Sequence, residues 1–326
     1  MVKEETIQIA VVAAIVCVAV AGGWFLVSGV RVDDAMQDRH LLSRGKELPV
    51  LWIYVNDSDV NSRRWTAFEE RSSRVLNIPF LNLCYQSCVK ANGLQYRIEV
   101  IGGLTDLAAR LGGWDALPTP LRNPIAPVRE PELNWIRAAV MAKWGGLWVS
   151  PATIWLQPIG QLPKDRLAFF GSDDEVTFVG DGGTTAPSLR VVWSPVPQHP
   201  AWVHWEEKVR ARVEKRAGGA EFRRDEMSDA VDAIREARQR GEEVDVFPTA
   251  ELTRKGAAGR RIQVEDLLAA GQEGVLPFNL TTETVYVPIP WPEIEERRAF
   301  GWFLRMSEDQ IMESDLAIKW LFNAAL

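Results

Sequence analysis

PELNWIRAAVMAKWGGLWVSPATIWLQP, Pro131 to Pro158, reads as a helix that runs through a two-glycine turn into a strand. Leu133, Ile136, Val140, Met141 and Trp144 recur at three- and four-residue steps, which puts them on one stripe of a helix starting after Pro131. Gly145 stands where that helix should end, because glycine accepts the positive φ that terminates a helix. Leu147, Trp148 and Val149 then favour a strand, so a buried strand tip is expected at Ser150.

The rest of the chain bounds what such a unit can belong to. With 326 residues, 47% of them hydrophobic, it can bury one large core with appendages. A net charge of −7 argues against a nucleic-acid partner, which needs a concentrated basic surface. Three cysteines are too few for a disulfide framework. Cys84 and Cys88 share one face of an expected helix, but only three histidines accompany them, so they read as buried small hydrophobes and not as a zinc site. The 14 tryptophans sit mostly among apolar neighbours and read as packing residues before they read as sugar-stacking platforms.

Residues 6–30 carry no charge and form a run long enough to cross a bilayer as a slightly tilted helix. A cleaved signal peptide would have a shorter apolar core and a more basic front than Lys3-Glu4-Glu5. Lys3 alone precedes the run, whereas Arg31, Arg39, Arg44 and Lys46 follow it, which keeps the following domain on the cytosolic or matrix-equivalent side. The organisation expected is a tail at 1–5, a transmembrane helix at 6–30, a juxtamembrane linker at 31–47 and an α/β domain at 48–326. Two sequons, at Asn56 and Asn279, would be usable only in a lumen.

Within the domain, residues 51–55 are wholly apolar and open into Asn56-Asp57-Ser58-Asp59, as expected of a buried parallel strand with a loop at its carboxyl end. A helix from Ser72 or Ser73 to about Lys90, interrupted or kinked near Pro79, should follow, then a strand over 96–101 and a short helix over 104–111. Gly102-Gly103 lacks the third glycine of a dinucleotide loop. Residues 112–129 hold four prolines and read as a long loop suited to a lid or a partner surface. Strands are expected at 167–170, 190–193, 244–248 and 286–288, with charged helices at 205–216 and 225–240. Asp173 and Asp174, after a strand, read as a solvated turn that could also supply metal-binding carboxylates. His199 opens a turn before a helix and reads as a cap. Ser307 starts a last amphipathic segment, apolar enough to dock firmly or to meet a partner.

Arg137, the Gly145-Gly146 pair and the strand after it resemble the glycosyltransferases with a DXD sugar-binding motif, including the capsular-polysaccharide-synthesis branch. Their pattern is roughly S-D-x-x-R, seven residues, then G-G-[IV]-[YW]-[LV]-D-x-[DT]. The resemblance implies a GT-A-like fold, a twisted and mainly parallel sheet with helices on both faces. It also implies a donor site made from Asn134, Arg137, Gly145, Gly146, Ser150 and Ala152, with His199 in a Gly-His-Pro-like turn. Ser150 and Ala152 stand where the family has its acidic residues, and Asn134 where it has an aspartate. A hydroxyl and a methyl cannot replace anionic oxygens on a hard cation, so no metal cofactor is expected.

Two functions follow from that resemblance. One is a catalytically degenerate glycosyltransferase-like protein, anchored in a membrane and acting as a structural or accessory subunit among protein partners. The other is an active enzyme moving a hexose from a nucleotide sugar through a non-standard or metal-independent site. In that case Asp173 or Asp174 would assist, and manganese or magnesium would accompany the donor.

Overall fold

A computed structural model of the chain describes residues 48–56, 78–124, 128, 130–175, 185–216, 226–251, 262–271 and 284–326. The expected span at 6–30, the linker at 31–47, Asp57, Asp59 and Asn279 lie outside these. Among the described residues no helix is long and apolar enough to cross a membrane.

The core of the fold is an eight-stranded sheet in the order β2-β1-β3-β6-β5-β7-β8-β4. Its strands are β1 (Val50–Val55), β2 (Arg97–Gly102), β3 (Gly146–Val149), β4 (Thr153–Trp155), β5 (Leu167–Glu175), β6 (Thr185–Ser194), β7 (Val244–Glu251) and β8 (Tyr286–Pro288). The pairings β1 with β2, β1 with β3, β5 with β7 and β7 with β8 are parallel. β6 runs against both β3 and β5, and β4 against β8. Six strands therefore point one way and β6 and β4 the other, a mostly parallel α/β sheet.

β1 shows why the sheet needs two covers. Leu51 to Val55 are all buried, and alternate residues enter different cores: Trp52 and Tyr54 one, Leu51, Ile53 and Val55 another. The first core is closed by α2 (Gly103–Leu111), α4 (Glu132–Trp144), α5 (Pro200–Arg216) and α6 (Glu226–Gln239). The other face is covered by α1 (Pro79–Asn92), which gives Cys88 to the sheet and Phe80, Leu81 and Leu83 to a third core behind it. That third core is completed by α7 (Val264–Leu268), α8 (Trp291–Glu296), α9 (Glu308–Glu313) and α10 (Ala317–Ala325).

The central unit folds as its sequence suggests, with one change. α4 is not amphipathic: Asn134 to Ala142 are all buried, because the helix lies between the sheet and α5 and touches water on no side there. Gly145 has φ 63°, and a Cβ on it would sit 2.7 Å from the Val196 carbonyl oxygen. Gly146 has φ 91° and passes against the Val50 backbone, while Trp52 Nε1 donates to the Gly145 carbonyl at 2.9 Å. Only glycine fits either position.

Some local expectations hold and others are corrected. The described helix α1 begins at Pro79, in agreement with an interruption there, where the missing N–H costs nothing; Ser72 and Ser73 lie outside the described residues. The described residues of the segment 112–129 do not form an open loop. It contains a 3-10 turn (Trp114–Ala116) and α3 (Thr119–Arg122), and it buries Leu117, Leu121 and Val128 in the first core. Asp173 and Asp174 lie within β5, not in a turn after it, at an irregularity where β6 pairs with Ser172 and next with Glu175. Ser307 does cap a helix, accepting from Gln310 N at 3.1 Å. The segment it begins docks inside the domain, with Ile311, Ile318, Leu321 and Phe322 fully buried, so its apolar face is not a partner surface.

Candidate functional site

β1 and β3 run parallel with Ile53 beside Val149, so Val55 and Ser150 come out at the same edge of the sheet. Carboxyl ends of parallel strands are where open α/β sheets hold ligands. At β3 the chain leaves through Ser150, whose N–H donates to the Arg190 carbonyl at 2.8 Å, and turns through Pro151 and Ala152 into β4. The Ala152 carbonyl accepts from Ile289 N at 2.9 Å, and its methyl is 6% exposed.

α1 lies across this edge on two buried polar pins. Ser87 Oγ accepts from Trp155 N at 3.0 Å and donates to the Cys84 carbonyl at 2.7 Å. Asn92 Oδ1 accepts from Ile159 N at 3.0 Å. Between α1 and the sheet remains a cavity of about 300 Å³. Ile53, Val55, Val149, Ser150, Thr153 and Trp155 form its sheet side, and Leu81, Cys84, Tyr85 and Cys88 its helix side. No charged side chain lines it among the described residues. Burial raises the Cys84 thiol far above its ordinary range. It pushes Cys88 up to about 12 despite a hydrogen bond to Asn92, so both sulfurs stay neutral at ordinary pH.

The opposite face of the sheet buries a hydrogen-bonded network of charged and polar groups. Arg137 is 1% exposed, over the Trp148 ring at 5.7 Å, and its Nη2 donates to Glu130 Oε1 at 3.2 Å. Its Nη1 donates to Asn134 Oδ1 at 3.4 Å, whereas Nε has no partner. Asn134 Nδ2 donates to Asp229 Oδ2 at 2.6 Å, and Arg212 Nη1 to Asp229 Oδ1 at 3.0 Å. The chain thus ties α4, α5 and α6 together through one buried network.

The residues expected to make one site are scattered over the sheet and its helices. Ser150 alone lines the cavity. Asn134 and Arg137 lie across the sheet from it, packed with Trp148, whose neighbours Leu147 and Val149 face the other way. Gly145 and Gly146 serve the close approach of backbones. Asp173 and Asp174 lie in β5 by their backbone, with side chains outside the described residues.

His199 caps α5: its Nδ1 accepts from Ala201 N at 3.3 Å, and its Nε2 lies 3.6 Å from Glu242. Burial lowers its pKa below the ordinary imidazole value, and Glu242 offsets part of that.

The sequence matches no known family model and no characterised protein. The site must therefore be read from its own chemistry. The divalent ion that the glycosyltransferase resemblance implies does not fit at the β3 tip, where the chain offers one hydroxyl and one buried methyl. Among the described residues, no group of three or more His, Cys, Asp or Glu side chains is placed to hold a metal ion. Thr153, Trp155 and Tyr85 were not singled out by sequence. Their signal was weak: Thr153 and Trp155 follow the tip within five residues, and Cys84 and Cys88 share the helix face that meets it.

Proposed function

We propose that the protein is membrane-anchored through residues 6–30 and carries a GT-A-like domain that has lost metal-dependent sugar transfer. It serves as a structural or accessory subunit of a membrane-associated assembly, on the cytosolic or matrix-equivalent side. The mostly parallel α/β sheet, with a strand tip directly after a Gly-Gly turn, is compatible with the resemblance. The observation that carries the loss of function is the β3 tip, where Ala152 points a buried methyl into the core beside Ile154 instead of a carboxylate toward a donor. Arg137 supports the same reading, being committed to Glu130 and Trp148.

The test is turnover. Purified protein with manganese or magnesium and common nucleotide sugars is expected to show neither hydrolysis nor transfer. Robust metal-dependent turnover that disappears in Asp173→Asn or Asp174→Asn would overturn the proposal in favour of a rebuilt enzyme. A carbonate wash should leave the protein in membranes, and native co-purification should bring partner proteins with it.

A further inference from the structure

The amino ends of β1, β2 and β3 carry apolar side chains that the fold leaves exposed. Arg97 opens β2 beside Val50 of β1, and its N–H donates to the Pro49 carbonyl at 2.9 Å, so the chain enters the sheet at this end. Leu94, in the turn from α1 to β2, is 92% exposed, and Val89, in the last turn of α1, is 39% exposed. On the other side of β1, Gly146 passes against the Val50 carbonyl and Gly145 against that of Val196, which is 46% exposed. Single apolar side chains on a surface are ordinary. Here three of the six large ones exposed among the described residues share the end where the chain arrives from residues 31–47. Lys90 and Arg97 flank Leu94 in sequence; Lys90 donates to the Leu326 carbonyl, and Glu99 is paired with Arg97 and Arg110. Farther along, at the amino ends of β5 and β7, Asp165, Glu243 and Asp245 surround Arg166, which makes that part of the edge acidic.

We propose that the β2-β1-β3 end of the domain rests on a lipid bilayer, with Leu94 at the level of the headgroups and Val89 and Val196 beside it. The inference rests on the membrane anchor proposed above and adds which surface of the domain meets lipid. Residues 31–47 reach at most about 60 Å when fully extended, so the tether by itself permits other faces. The exposed apolar side chains select this one, because the bilayer boundary takes their area out of water. Lys90 and Arg97 suit phosphate headgroups, as do Arg31, Arg39, Arg44 and Lys46 in the segment before the domain. A tethered domain needs only a weak contact, since its second binding event is governed by local concentration.

The experiment uses the full-length protein carrying Cys17→Ser and Gln95→Cys, with a polarity-sensitive fluorophore on the thiol at the exposed position 95. Cys84 and Cys88 are buried and stay unlabelled. The protein is reconstituted into phosphatidylcholine and phosphatidylserine vesicles that contain nitroxide-labelled lipid. A second preparation carries the label through Asp309→Cys, next to Glu308, which meets Asn82 at the other end of α1. The nitroxide should quench the label at 95 about twofold more strongly than the label at 309. Leu94→Asp should bring the quenching at 95 down to the level at 309 and leave the melting temperature unchanged, because the side chain it replaces is exposed. Equal quenching at the two positions, or quenching at 95 that Leu94→Asp does not alter, overturns the contact, while retention through a carbonate wash still upholds the anchor. A blue-shifted label at 95 without lipid quenching assigns this face to a second copy of the chain and also overturns the contact. Release by the carbonate wash removes the anchor and the contact with it.

Discussion

The two faces of the sheet solve the burial of polar groups in opposite ways. Behind Trp52 and Trp148, Arg137, Asn134, Asp229 and Arg212 are buried or half-buried and linked by hydrogen bonds that span three helices. Behind Ile53 and Val149, α1 stands off the strands far enough to leave a cavity, and Thr153 and Trp155 keep polar atoms without partners beside it. Where charges are buried they are joined in one network, although Arg137 Nε and the Trp202 indole N–H keep no partner. Where only neutral groups face inward, the fold leaves a cavity. The residues with the strongest family resemblance lie mainly on the networked face, and the cavity lies on the other.

Substitution can break that contrast. The largest effect is expected from Arg137→Ala, which strips a buried cation from Glu130 and from the Trp148 ring and should cost about 3–5 kcal/mol in urea unfolding. Glu130 is partly exposed, which favours the lower end. Ser150→Ala, in the same segment but on the cavity face, should change stability by under about 0.5 kcal/mol. Equal costs for the two would remove the distinction between the faces.

Asn134→Asp sharpens it next. The family aspartate at this position would meet Asp229, whose oxygen now accepts from Asn134 Nδ2 at 2.6 Å. A second carboxylate there loses the donor and adds like charge, costing about 2 kcal/mol. Adding Asp229→Asn should recover part of the loss, although it leaves Arg212 with a weaker partner. A double-mutant cycle measures the coupling, and strict additivity would show that the two side chains are independent.

The smallest effect concerns His199. Its folded pKa is lowered, so the unfolded chain takes up the proton more readily. Its contribution to stability is therefore complete above the unfolded value of about 6.5 and declines as the pH falls through it. Protonation at Nδ1 also removes the acceptor for Ala201 N. His199→Asn can keep an N-terminal cap on α5 without titrating, and it should flatten the slope of melting temperature against pH between neutrality and mild acid. An unchanged slope would place the titrating group elsewhere.

Much of the fold was legible in local chemistry. The apolar run of β1, the helix, glycine pair and strand at 132–149, and the Ser307 cap each follow from residues in direct sequence contact. Errors arose where distant pairing overrides local preference. Ser172 to Glu175 reads as a turn, but β6 pairs with Ser172 and Glu175 and carries β5 through it, leaving Asp173 and Asp174 at a break of register. The proline-rich 112–129 segment reads as exposed but is pinned by Leu117 and Leu121 under α5. α4 reads as amphipathic because Asn134 and Arg137 are polar, yet Asn134 finds partners on α5 and α6 that no window along α4 contains, and Arg137 packs over Trp148 of β3.

By itself the sequence determined that β3 ends in a hydroxyl and a methyl, because the ligand chemistry of Ser150 and Ala152 does not depend on where they lie. It also determined that the turn before β3 takes two glycines in succession. Only the tertiary structure decided that Arg137 and Ser150 fall on opposite sides of the sheet, since that depends on which strand face each helix covers. The cavity was likewise invisible beforehand: it is a gap between α1 and strands up to 74 positions away, set by how closely Ser87 and Asn92 draw the helix to β4 and to Ile159.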